Sequence, residues 1–95
     1  MPVYRITEFK TPDIGKVIDF CENLPKDAAA GAETIDVVSV GEGKGVIVAR
    51  YTNQAVMDAA TESSYQAFGK MIVAGIVNAG SIIGLSGDVV FSFKA

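Results

Sequence analysis

Val46-Ile47-Val48-Ala49 is an unbroken apolar run that closes on Arg50-Tyr51. Such a short run, rich in β-branched residues and preceded by Gly41-Glu42-Gly43-Lys44-Gly45, reads as a strand entered through a glycine-rich turn. A strand with one face on a core and one face in water alternates apolar and polar residues. This one does not, so its sheet carries apolar side chains on both faces. The same holds for Val37-Val38 and for Val89-Val90-Phe91. The turn at 41–45 resembles a phosphate loop superficially, but it lacks the GxxxxGK[ST] spacing and leads into a strand, not a helix.

Reading outward, Ile35–Val40 is the strand before the turn and Val46–Tyr51 the strand after it. Asn53 or Thr52 caps a helix expected over Gln54–Val77, with Val56, Met57, Ala60, Ser64, Ala67, Phe68 and Met71 toward one side. Toward the N-terminus, Val3–Phe9 reads as a first strand. Thr11-Pro12-Asp13 then starts a helix, with Thr11 as cap and Pro12 at the first helical position. Ile14, Val17, Ile18, Cys21 and Leu24 form its apolar stripe, and Pro25 ends it. Residues 26–32 are expected as a loop or short helical extension. Ser81–Phe93 holds the last strand, expected to be best defined at Val89, Val90, Phe91 and Phe93. The order is strand, helix, strand, strand, helix, strand. Its usual solution is a ferredoxin-like α+β fold, βαββαβ, with an antiparallel four-stranded sheet in order 4-1-3-2 and two helices on one face.

The whole chain, residues 1–95, reads as one domain, with 49% hydrophobic and 20% charged residues. Net charge is −3, with no basic stripe of the kind nucleic acid requires, so no nucleic-acid partner is expected. There is no histidine and a single cysteine. A disulfide framework, an ordinary zinc site, a His-ligated haem and a Ser-His or Cys-His pair are therefore excluded, and neither metal nor cofactor is expected. The N-terminus lacks a long apolar segment of secretory type. The apolar run Met71–Leu85 is shorter than the ~20 residues a spanning helix needs. A cytoplasmic protein without a membrane partner is expected.

Two helices cover one face of such a sheet. An uncovered second face would exceed the few hundred Å² of apolar patch that soluble monomers show. The expected cover is a second copy of the same sheet, giving a homodimer through the open sheet face.

The strand VYRITEF, the pair IDVVSV and GVIVARYTN, the helix after Asn53 and the closing GDVVFSF resemble, across nearly the whole chain, the dimeric α+β barrel superfamily. That superfamily includes antibiotic-biosynthesis-monooxygenase-like and stress-responsive barrel proteins. The resemblance implies a cavity able to hold a small apolar molecule. Haem-degrading members use a helix histidine, an asparagine and a tryptophan. This chain has neither histidine nor tryptophan, so that activity is not expected. Cofactor-independent monooxygenase and isomerase members rely on Tyr, Arg, Asn and acidic residues.

Arg5 and Arg50 are the two arginines. If the first and third strands are antiparallel neighbours, these residues are expected to meet on one apolar face and grip a small carboxylate or enolate bidentately. The alternative is that each reaches the rim and pairs with Glu8, Asp36 or Asp88. Tyr51 and Asn53, at the end of the third strand, are the candidate catalytic groups, and Arg5, Arg50 and Tyr51 the candidate ligand-binding residues. Tyr4 and Tyr65 are further possible donors. Asp58, Glu62 and Gln66, spaced by four, read as a solvated helix face. Cys21 reads as a small buried hydrophobe. Pro2, once Met1 is removed, would offer the secondary amine of the N-terminal-proline tautomerases, which MPVYRI resembles. The functional expectation is a small homodimeric barrel protein that binds a small apolar or acidic molecule between sheet and helices. Its alternatives are a cofactor-independent monooxygenase or isomerase and an N-terminal-proline tautomerase.

Overall fold

A computed structural model of the chain describes residues 1–24, 29 and 31–94. The elements are β1 (Val3–Lys10), α1 (Ile14–Glu22), β2 (Ala32–Gly41), β3 (Lys44–Tyr51), α2 (Gln54–Val73) and β4 (Ile83–Asp88). They form one antiparallel sheet in the order β2-β3-β1-β4. This is the expected ferredoxin-like βαββαβ arrangement. Pro25 and most of the segment 26–32 lie outside the described residues.

Strand parity sorts the side chains. Val3, Phe9, Ala49 and Tyr51 are buried and meet α1 through Val17, α2 through Met57 and Met71, and the segment after α2 through Val77. The register pairs Val3 with Tyr51, Arg5 with Ala49, Thr7 with Ile47 and Phe9 with Gly45, so these eight share the helix-covered face. Phe9 lies directly over Gly45, where an added Cβ would fall 2.5 Å from its Cζ. Tyr4, Ile6, Val46, Val48 and Arg50 point the other way. Val38, Ile83 and Leu85 extend that second face on the flanking strands, and Ile83 and Leu85 are 57% and 60% exposed. Neither helix covers this surface.

β2 starts at Ala32, not Ile35, and three further points differ from expectation. The cap of α1 is Asp13, not Thr11: Asp13 Oδ1 accepts from the Gly15 N–H at 2.9 Å. Thr11 is buried and ties two elements together instead. Its hydroxyl donates to the Ile76 carbonyl at 2.6 Å and accepts from the Asp13 N–H. On α1, Ile18 is exposed and Phe20 takes part in the core in its place.

The second difference is the end of α2, which comes at Val73 and not Val77. Gly75 takes φ +73°, and the Ile76 N–H reaches back to the Met71 carbonyl at 2.9 Å while Gly75 bonds Ile72. This is a Schellman stop, which the left-handed freedom of glycine permits.

The third concerns the closing strand, Ile83–Asp88, which ends before the segment expected to be best defined. Asp88 pairs with Val3, and the Val89 N–H makes a last bond to the Pro2 carbonyl at 2.9 Å. Beyond that point β1 offers no partner backbone. Val90, Phe91 and Phe93 therefore leave the sheet and are about four-fifths exposed or more.

Candidate ligand-binding site

Two cavities lie between α2 and the helix-covered face of the sheet. An inner chamber of about 70 Å³ is closed by Phe20, Cys21, Leu24, Ile35, Ile47 and Met71. An outer groove of about 640 Å³ runs between α2 and β4, along Met57, Thr61, Tyr65, Ile72, Ile82 and Ser86. Arg5, Thr7, Ser64 and Phe68 line both and so form the waist between them. A groove of similar size, about 680 Å³, separates α1 from α2 on the outer surface near Lys16, Phe20 and Lys70. Among the described residues, no buried polar side-chain atom without a partner faces that outer-surface groove.

Arg5 dominates the waist. Its Nη2 donates to Thr61 Oγ1 at 2.6 Å and to the Met57 carbonyl at 3.1 Å. Its Cζ stands 5.6 Å from the ring centre of buried Tyr51. Its Nη1 is buried and has no hydrogen-bond partner. Among the described residues no carboxylate lies within ion-pair distance of it; the ion pair found joins Arg50 to Glu33. A half-buried guanidinium with a buried donor unused is costly, and the cost falls when an anion arrives.

The two arginines do not meet. Arg5 pairs across to Ala49 and Arg50 to Tyr4, so they point to opposite faces. The flaw in the sequence argument is one of parity: residues 5 and 50 are not directly opposed, and positions one apart on a strand face opposite ways. Arg50 lies on the open face, where it donates to the Tyr4 hydroxyl at 3.2 Å and approaches Glu33 at 3.7 Å. The hydrogen bond to Tyr4, foremost, pushes the Arg50 pKa further up, so this group stays charged. A grip shared by both arginines is therefore not available. Neither takes the rim partners anticipated from sequence: Glu33 is the carboxylate beside Arg50, and Arg5 is inside.

Of the other candidates, Tyr51 joins Arg5 at the waist and lines the inner chamber. Asn53 caps α2, accepting from the Val56 N–H at 3.0 Å. Tyr65 is exposed on the groove wall. Pro2 lines neither chamber, and its carbonyl holds Val89. Cys21 faces the inner chamber, and burial pushes its thiol pKa up. Asp58 and Glu62 accept from Gln54 and Gln66 along an exposed face. No metal-binding group of acids and cysteine occurs among the described residues. Among those residues no helix is long and apolar enough to cross a membrane.

Sequence reasoning missed Thr61. The signal was present: Thr61 and Ser64 place two hydroxyls, nearly one turn apart, beside the buried side of an otherwise apolar helix face.

Comparison with solved structures places this geometry. Rv0793 from Mycobacterium tuberculosis superposes with a TM-score of 0.68 at 16% identity, covering 99% of this chain and all of that one. A dimeric ferredoxin-like protein of unknown function from Jannaschia sp. CCS1 gives 0.63 at 16% identity, covering 94% of this chain and all of that one. The fold is the ferredoxin-like α+β fold. A point mutant of MhuD, with two manganese protoporphyrin IX bound per active site, superposes with a TM-score of 0.68 at 14% identity and covers 98% of this chain and 99% of its own. At such identities the likeness is one of fold. No family model matches the chain, and no curated protein matches it.

Proposed function

We propose that this protein is a homodimer that binds a small organic anion with an apolar body between sheet and helices, the anionic oxygen at Arg5. The observation that carries the reading is the buried, unpartnered Nη1 of Arg5 at the waist of two chambers. The apolar side chains around it suit a hydrocarbon or aromatic body, and the single charge suits one acidic head. Homodimerisation rests on the uncovered apolar face and agrees with the dimeric relative of the same fold. A catalytic role for Asn53 finds no support, since its side chain serves the α2 cap. The same holds for Pro2, which stands away from both chambers. The porphyrins of MhuD are not carried over: the chain has no histidine to ligate an iron as many haem proteins do.

The test is calorimetric titration of the wild type with 4-nitrophenolate and 4-nitrobenzoate, beside native mass spectrometry for a retained molecule. Arg5→Met is expected to weaken binding of the preferred probe by about 10–100-fold, the worth of a charge-assisted hydrogen bond. Its melting temperature should stay level or rise, because a buried charge without a counter-ion is removed. Unchanged affinity in Arg5→Met would overturn the reading.

A further inference from the structure

We infer that Thr61 determines which anions the pocket accepts, by restricting Arg5 to a one-oxygen contact. The inference rests on the reading of Arg5 as the anion donor.

A guanidinium offers a carboxylate two forks, one end-on across Nη1 and Nη2 and one side-on across Nε and Nη2. Both require Nη2, which carries two hydrogens. In this structure Nη2 has two acceptors already, Thr61 Oγ1 at 2.6 Å and the Met57 carbonyl at 3.1 Å. Neither fork is complete. Nη1, buried and unpaired, is left for a ligand, and Nε, also without a partner among the described residues, lies on the other side of the group and forms no fork with it.

Thr61 is held in that role from the other side. Its own hydroxyl hydrogen is directed to the Met57 carbonyl, at 3.2 Å. With its hydrogen committed there, Oγ1 meets Arg5 as an acceptor. The hydroxyl and the carbonyl, one helical turn apart on α2, thus clamp the same amino group. The Tyr51 ring, 5.6 Å from Cζ, lies against the guanidinium as well.

The chemistry that fits is an oxyanion whose charge rests mainly on one oxygen, as in an enolate or phenolate. A carboxylate bound here meets Nη1 through one oxygen and leaves the second without a guanidinium hydrogen. Of the two acceptors on Nη2, one is backbone and fixed, and the other is a side chain that can be changed. Thr61 is therefore the specificity-determining position, acting through Arg5.

Thr61→Val keeps the shape and removes the acceptor, which returns one Nη2 hydrogen and opens one of the two forks. The wild type is expected to bind 4-nitrophenolate more tightly than 4-nitrobenzoate at a pH where both are ionised. In Thr61→Val the ratio of the two affinities should move by about tenfold toward 4-nitrobenzoate, one charge-assisted hydrogen bond gained. Thr61→Ser, which keeps the hydroxyl, should hold the wild-type ratio. Thr61→Ala should shift it as the valine does, and it guards against crowding by the second methyl. A wild type that prefers 4-nitrobenzoate overturns the inference, as does a ratio unmoved in both Thr61→Val and Thr61→Ala. If binding is lost in Arg5→Met while the ratio ignores Thr61, the pocket stands and the role of Thr61 falls. If Arg5→Met binds both probes like the wild type, the pocket reading fails and the inference with it.

Discussion

Val48→Lys is expected to convert the proposed dimer to a folded monomer. Val48 sits at the centre of the uncovered face, between Ile6 on β1 and Asp36 on β2. In a two-fold pair the substitution places two ammonium groups in the apolar seam. Each costs several kcal/mol when taken out of water, a cost the adjacent Asp36 carboxylate offsets only in part, so dissociation should strengthen by about a hundredfold or more. The separated copy tolerates the change, since the new ammonium lies across from the exposed Asp36 carboxylate and in contact with water. Val73→Lys, on a residue 90% exposed on α2, should leave the assembly intact. Sedimentation at falling concentration reads both. A wild type that already sediments as one copy at high concentration refutes the dimer, and so does a Val48→Lys variant that stays paired.

The second large effect is expected at the Phe9–Gly45 pair. Phe9 is 1% exposed and packs with Val17, Met71 and Val77, so Phe9→Ala should remove about 3–5 kcal/mol. At roughly 4–8 °C per kcal/mol for a domain this size, that is a fall of about 12–40 °C in Tm. Gly45→Ala drives a methyl carbon to 2.5 Å from Phe9 Cζ and 2.9 Å from Cε2. The ring has no room to retreat, and overpacking of that kind costs about 1–3 kcal/mol or more. The two changes should not add. With Phe9 already reduced to alanine the added methyl meets open space, and Gly45→Ala should then be neutral or mildly stabilising, because glycine is a poor strand residue. Thermal unfolding of the four proteins in this cycle checks it. Full additivity would show that the ring does not rest on Gly45.

The sheet was readable from residues because apolar runs such as 46–49 break alternation, and because strand and helix lengths left few topologies; the run 89–91, read the same way, lies beyond the last strand. The ends of elements were harder. The stop of α2 depends on the backbone angle of Gly75, in a stretch whose apolar spacing continues past it. The extent of β4 depends on where β1 begins, a matter of pairing between residues 85 positions apart in Val3 and Asp88. For the site, residue type alone singled out Arg5 and Tyr51, which the fold does bring together. It also singled out Arg50, which one step of parity sends to the other face. Thr61 escaped because a threonine on a helix face is ordinary until the long side chain that reaches it is known.

Under the proposed reading, an anion seated at Arg5 also makes the folded chain a sensor of its surroundings. An anion that enters stabilises the native state and has no comparable seat on the unfolded chain, so unfolding must first expel it. Resistance to heat then rises with the logarithm of anion concentration above its dissociation constant. Two preparations of identical chain, one dialysed from acetate and the other from a bulky aromatic acid, would differ in resilience for no reason written in their sequence.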